Sequence, residues 1–211
     1  MISACCQTAN GERGHEGPKE PAMGKAAERD PRAILIREIE SSGVSEGSKS
    51  FFGILLSRTP RTHLDAQMPV FEEAVAKPGS AQTIFSGRLA DECFAETVRR
   101  GVPVQAIDAL VDHEVLSLSE IVTHVLPRRT LDHRKRKKER LNESESERAL
   151  RIARIVAIAE DTFANIEKAA TWLRRPNRLL GGRAPLDMTD TEPGGRIVEG
   201  ILQRIAHGIA A

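Results

Sequence analysis

SLSEIVTHVLPRRTLDHRKRKK, Ser117 to Lys138, is the stretch whose reading decides the fold. Ser117 and Glu120 have the spacing of a capping box, in which hydroxyl and carboxylate satisfy each other's orphan amide donors at a helix start. Behind them Leu118, Ile121, Val122, Val125 and Leu126 recur at i, i+3, i+4, i+7 and i+8, the apolar stripe of an amphipathic helix. Pro127 breaks that helix and suits the first turn of another. The second helix carries Arg128, Arg129, Thr130, Leu131, Arg134, Lys135, Arg136, Lys137, Lys138 and Arg140. Only Asp132 and Glu139 interrupt its positive charge.

Helical punctuation continues on both sides. Upstream, Leu89, Cys93, Phe94, Thr97 and Val98 share one helical face, Gly101 stops it, and Pro103 opens a helix bearing Val104, Ile107, Leu110 and Val111. Downstream, Asn142 to Glu147 (NESESE) offers two overlapping capping boxes, Asn142 with Glu145 and Ser144 with Glu147, ahead of a helix through Leu150, Ala153, Val156 and Ala159 to about Thr162. Asn165 caps a helix with Ala169, Trp172 and Leu173; Arg175 to Leu186 is dense in breakers and reads as a fixed loop. A last helix begins near Thr191, with Ile197, Val198, Ile201, Leu202, Ile205 and Ile209 on one side. The fold class is all-α. The expected organisation is a disordered tail over 1–30 and a poorly defined region with short helices over 31–86. A helix-turn-helix domain over 87–162 and a small helical domain over 163–211 follow.

Ile34, Leu35 and Ile39 suggest a short helix closed by Ser41, Ser42 and Gly43, and Phe51 to Leu56 is a small apolar run of no evident architecture. The first thirty residues lack the apolar surface to offset ordering entropy, and Met23 is a candidate start. Within 211 residues, 31 Lys+Arg nearly balance 30 Asp+Glu, which excludes a globally basic nucleic-acid coat but not a local basic patch. Six Phe, one Trp and no Tyr leave a core of Leu, Ile, Val and Ala, and argue against base-stacking platforms for single strands. No apolar run approaches the roughly 20 residues that span a bilayer. Cys5, Cys6 and Cys93 form no disulfide framework, and no secretory signal is evident, so a cytoplasmic protein without a membrane partner is expected. The six histidines lack metal-ligand spacing with cysteine or acid. No metal, cofactor or catalytic residue is expected: neither paired carboxylates nor a nucleophile–base spacing appears.

A helix, a proline turn and a helix opening on Arg128, Arg129 and Thr130 have the layout of a helix-turn-helix, which places the start of its second helix in the major groove. Arg128, Arg129, Thr130, Arg134, Lys135 and Arg136 are the candidate DNA contacts. The alternative for such a run is a solvated charged face. In the later loop, Gly181 and Gly182 permit backbone geometry closed to other residues, between Pro176 and Pro185 and among Arg175, Arg178 and Arg183. The strand and glycine–lysine spacing of a phosphate-binding loop are missing, and a rigid connection with arginines capping carbonyls is the plainer reading.

WLRRPNRLLGGRAPL (Trp172–Leu186), within a longer string from Phe163 to Met188, followed by DTEPGGRIV (Asp190–Val198) and the Ile201–Ala211 end, resembles the toxin-binding domain of Xre/MbcA/ParS-type antitoxins. The stretch from Gly101 through Ser117–Lys135 to the Ser144–Arg154 helix is similar to the Xre-like helix-turn-helix that precedes it. The resemblance spans about Arg99 to Ala211, with Pro193 a small departure in the last helix and the long N-terminal region matching nothing comparable. It implies an inhibitor of a RES-domain, NAD-consuming toxin whose active-site entrance the C-terminal region covers. It also implies a homodimer that forms a hetero-oligomer with the toxin and represses its own operon by binding operator DNA. Carried over, the toxin-facing residues are Arg178, Gly181, Gly182, Arg183, Arg204, His207 and Ile209, the first turns of the last helix packing inward. A plain transcriptional regulator whose C-terminal domain only dimerises is the alternative. From the composition of the tail, a chain starting at Met23 is expected to protect cells from the toxin as well as the full chain does; loss of growth rescue on this trimming would show that the tail takes part.

Overall fold

The computed structural model describes residues 31–57 and 88–209, so the expected tail over 1–30 and the Met23 start lie outside the described residues. Ten α-helices and one short 3₁₀ turn appear among them, and no strand. The all-α reading holds. The helices are α1 (Pro31–Ser41), α2 (Glu46–Ser57), α3 (Arg88–Arg100), α4 (Val104–Asp112), α5 (Leu118–His124), α6 (Arg128–Lys137), α7 (Glu143–Phe163), α8 (Ile166–Arg174), α9 (Pro185–Met188) and α10 (Glu192–Ala206). None of the described helices is long and apolar enough to cross a membrane.

The core is organised around α7, against which α2, α3, α8 and α10 all pack. Its start is the capping box of Asn142 and Glu145, in which Asn142 Oδ1 accepts the Glu145 amide at 2.8 Å and the Glu145 carboxylate accepts the Asn142 amide at 2.9 Å. Of the two overlapping boxes, the Ser144–Glu147 pair is diverted: Arg148 donates to Ser144 Oγ and Arg151 pairs with Glu147. Ile152, Ile155, Ile158 and the alanines between them are buried. Small residues on several sides of α7 let neighbouring helices approach from more than one direction.

The apolar run Phe51–Leu56 proves to be the buried half of α2. Phe51, Phe52, Leu55 and Leu56 stand at helical spacing and all but vanish from solvent. Phe52 lies 5.9 Å from the ring of Phe94 on α3, and α2 packs most extensively on α4. Gly101 makes the crossing between α3 and α4 possible. Its φ of +82° is left-handed, and a Cβ there would stand 2.2 Å from the Leu141 carbonyl oxygen. The tight pass lets the Leu141 amide donate to Val102 (2.9 Å) and the Val102 amide donate to the buried Ser146 hydroxyl (2.9 Å).

At the other end of α7, the buried Glu160 accepts hydrogen bonds from the Ser45 amide and the Ser48 hydroxyl, each 2.9 Å, and so ties down the start of α2. Burial pushes its carboxyl above the ordinary range, and the bonds from Ser45 and Ser48 offset this only in part. An acid raised in the folded state binds more protons there than when unfolded. Its favourable contribution is therefore complete below the ordinary carboxylate pKa and is lost as pH rises through the raised value. Glu160→Gln is expected to flatten that decline in urea-denaturation stability above the ordinary carboxylate pKa, while Glu160→Ala, which strands two buried donors, lowers stability by about 1–3 kcal/mol. Equal pH slopes for the protein and Glu160→Gln would contradict the assignment.

Candidate functional site

The helix pair α5–α6 is built as its sequence suggests. Ser117 Oγ accepts the Glu120 amide at 3.2 Å, and the Glu120 carboxylate accepts the Ser117 amide at 2.8 Å. Burial alone would raise the Glu120 carboxyl; hydrogen bonds from Arg174 and Ser117 outweigh it and hold the group below its usual range. Val125 and Leu126 are buried in the turn, their amides donating to the Ile121 carbonyl, and Pro127 precedes α6. Leu131 is fully buried and fixes which way α6 faces. Lys138, at φ +54°, ends the helix in a left-handed cap.

With Leu131 inward, the candidate DNA contacts separate into two groups. Arg129 and Arg136 project into solvent with no side-chain partner among the described residues. Arg128 is exposed beside Asp132, its Nε 3.2 Å from both carboxylate oxygens, and Thr130 is half-buried. Arg134 turns the other way: its Nη1 donates to the Arg140 carbonyl at 2.8 Å and its Nε lies 2.9 Å from the Glu145 carboxylate, bracing α6 on the start of α7. Lys135 pairs with Asp108 of α4. His133, absent from the sequence-based set, is exposed one turn beyond Arg129 on the same face; the four-residue spacing was its only signal.

The second surface is the loop after α8 together with α10. Asn165 caps α8 by accepting the Lys168 amide at 2.8 Å. Asn177 then organises the loop: its side chain accepts the Leu179 amide at 2.9 Å, its carbonyl accepts the Gly182 amide at 2.9 Å, and its own amide donates to the Arg183 carbonyl at 3.0 Å. Gly181 and Gly182 are both left-handed, at φ +66° and +83°, a succession only glycine adopts cheaply. The loop is held by backbone and Asn177, not by arginines capping carbonyls. Arg175, Arg178 and Arg183 are exposed, with no side-chain partner among the described residues.

Thr191 caps α10 by accepting the Gly194 amide at 3.2 Å. Val198, Ile201 and Leu202 face the core and are buried. Ile197, expected inward with them, is 50% exposed, because it stands about 100° around the helix from Val198, which lies near the centre of the buried stripe between Ile201 and Leu202. Arg204, His207 and Ile209 are exposed, Ile209 by 57%. The described residues leave four large apolar side chains exposed (Ile166, Leu179, Ile197 and Ile209), and all belong to this C-terminal part.

Two family models match the part of the chain that carries these residues. Residues 94–154 match the antitoxin Xre-like helix-turn-helix domain, and residues 159–208 match the antitoxin Xre/MbcA/ParS C-terminal toxin-binding domain. The chain is 31% identical over 118 residues to Antitoxin Xre of Yersinia enterocolitica, an alignment covering 55% of this chain and 80% of that protein. It is 38% identical over 84 residues to Antitoxin Xre of Pseudomonas putida, covering 40% of this chain and only 53% of the relative. The Prs ADP-ribosylating antitoxin of a Sphingobium species is 28% identical over 126 residues, 56% of this chain and 74% of that one.

The division of the basic helix has a measurable consequence for stability. Arg134→Ala strips hydrogen bonds from the Arg140 carbonyl and Glu145 and is expected to lower unfolding free energy by about 1–3 kcal/mol. Arg129→Ala with Arg136→Ala is expected to stay within about 0.5 kcal/mol of the unsubstituted protein. Equal destabilisation in denaturant titrations would put Arg134 back among the free cations.

Proposed function

This chain belongs to the Xre/MbcA/ParS family of antitoxins, and from that premise we propose that it neutralises a RES-type, NAD-consuming toxin by occluding its active site and represses its own operon through α6. The name of the Sphingobium relative supports the toxin class, since an ADP-ribosylating reaction draws its ADP-ribose from NAD. The observation that carries the reading is the placement of exposed apolar surface. Ile166, Leu179, Ile197 and Ile209 lie along the region matched to the toxin-binding domain or immediately beyond its end. The same stretch of chain carries Arg178, Arg183 and Arg204, exposed and without a side-chain partner among the described residues. Exposed apolar side chains together with arginines are the composition of a protein-binding face.

Gly200 adds to this. It sits in the middle of α10 between Ile197 and Arg204 on the outward side, and a Cβ there would meet nothing within 4 Å. A mid-helix glycine lowers stability by roughly 0.5–1 kcal/mol relative to alanine, and no internal contact requires one here. Close approach by a partner supplies a reason. In this reading Arg178, Gly181, Gly182 and Arg183 form one part of the toxin contact and Ile197, Gly200, Arg204, His207 and Ile209 the other. Arg128, Arg129, Thr130 and Arg136 reach operator DNA, while Arg134 and Lys135 hold the helix in place. The antitoxin acts as a homodimer that assembles with toxin into a hetero-oligomer, and it carries no catalytic chemistry of its own.

Co-expression with the product of the adjoining gene tests the proposal. The full chain is expected to restore growth; deleting His207 to Ala211, or replacing Gly200 with Glu, is expected to abolish rescue while leaving a folded protein that still binds its promoter. If the truncated chain unfolds, that segment is core; if both variants neutralise fully, the toxin is held elsewhere. If the C-terminal surface only dimerises, Gly200→Glu yields monomers and rescue is absent even for the full chain. For the DNA surface, replacing Arg128, Arg129 and Arg136 with Ala is expected to abolish promoter binding and spare neutralisation. Binding by the unsubstituted protein is expected to weaken steeply with salt, as phosphate contacts release counterions. A salt-independent complex would return the basic run to a solvated face.

A further inference from the structure

Leu131, the buried residue of α6, fixes the opposite side of that helix as its outermost line. At 100° per residue, Arg129, His133 and Arg136 all lie within about 40° of the direction facing away from it. The three are exposed, and none has a side-chain partner among the described residues. His133 thus stands between two free guanidinium groups, with Lys137 one turn further on. The carboxylates that the described residues bring to α6 are taken by other cations. Asp132 receives Arg128 at 3.2 Å, and Glu139 lies 3.8 Å from Arg134 and 3.9 Å from Lys137. From the elements packed behind, Asp108 of α4 pairs with Lys135 and Glu145 of α7 with Arg134. On α5, Glu120 holds Arg174, and His124 is set against Asp190. A charge on His133 therefore has cations beside it and no carboxylate to balance it until a polyanion meets the helix.

We infer that His133 is a DNA contact that acts in its protonated form, so that promoter binding takes up a proton at this side chain and tightens as pH falls. The inference rests on the reading of α6 as the DNA-facing helix. Histidine is the side chain whose charge ordinarily changes between about pH 5 and 8. A charged imidazole on the outermost line adds one cation to Arg129 and Arg136 and releases one more counterion from the duplex. A neutral one keeps a hydrogen-bonding nitrogen but releases none. Proton and DNA then favour each other by one shared factor, whichever binds first. The sign is fixed by the setting: cations surround the imidazole in the free chain, and phosphates relieve them in the complex.

The experiment measures affinity of the full chain for a labelled duplex from its own upstream region, by fluorescence anisotropy, at about pH 6 and about pH 8 over a series of salt concentrations. The unsubstituted protein is expected to bind at least about fivefold more tightly at the lower pH, within the tenfold that one pKa unit is worth. Its logarithmic salt dependence is expected to be steeper there by about 0.9, the share of one further phosphate. His133→Asn is expected to change by less than about twofold between the two conditions and to keep one salt slope. The other histidines are common to both proteins, so the contrast belongs to position 133. His133→Lys, charged at both pH values, is expected to bind equally at both and with the steeper slope at both. A His133→Asn protein that keeps the full pH response overturns the inference, as does an unsubstituted protein that shows none. A chain that binds the duplex at neither pH instead overturns the DNA reading, and the inference with it.

Discussion

A helix enclosed on most sides can keep a polar side chain only if a neighbour satisfies it, and helix α7 buries four: Glu145, Ser146, Arg151 and Glu160. Each ties down a different part of the molecule. Glu145 receives Arg134 and holds the basic helix. Ser146 accepts the Val102 amide and fixes the crossing before α4. Arg151 donates from Nε to the Thr189 carbonyl at 2.8 Å and pairs with Glu147, locating the approach to α10. Glu160 holds the start of α2. Apolar packing makes the core, but it is non-directional; these four contacts specify which neighbour lies at which level of the helix. The two candidate surfaces are thus referred to one common axis.

Much of this was written locally in the sequence. Ser117, Asn142, Asn165 and Thr191 announce their helices because a cap is a contact between residues a few positions apart. The all-α class followed from the same signals. The apolar run at Phe51–Leu56 was harder to read, since a short buried segment shows little polar alternation and periodicity alone does not separate strand from helix there. Its partners, on α4 and at Glu160, lie far along the chain.

The candidate sites were legible by composition and opaque in direction. A row of cations on α6 shows charge, not which cations fold back; Arg134 and Lys135 do so because Glu145 and Asp108 are brought beside them only by the tertiary fold. The loop after α8 was recognisable as rigid from its glycines and prolines, while the role of Asn177 as its organiser was not. Glu120 and Arg174 stand 54 residues apart in sequence, so nothing short of the folded chain could join them. Exposure of Ile197 turned on a helix-wheel angle at the margin of a stripe, where apolar spacing cannot say which edge residue is covered.

The picture that results is an antitoxin in which a short basic helix and a C-terminal face bearing exposed apolar and arginine side chains share one buried helix. Its central claim is direct occlusion of an NAD-consuming enzyme by that face. The most direct measurement is NAD consumption by the purified product of the adjoining gene, followed as the full chain is titrated in. The account predicts that consumption stops at a fixed stoichiometric ratio of chain to enzyme. Consumption that continues with the chain in excess, or a partner that consumes no NAD, would contradict it.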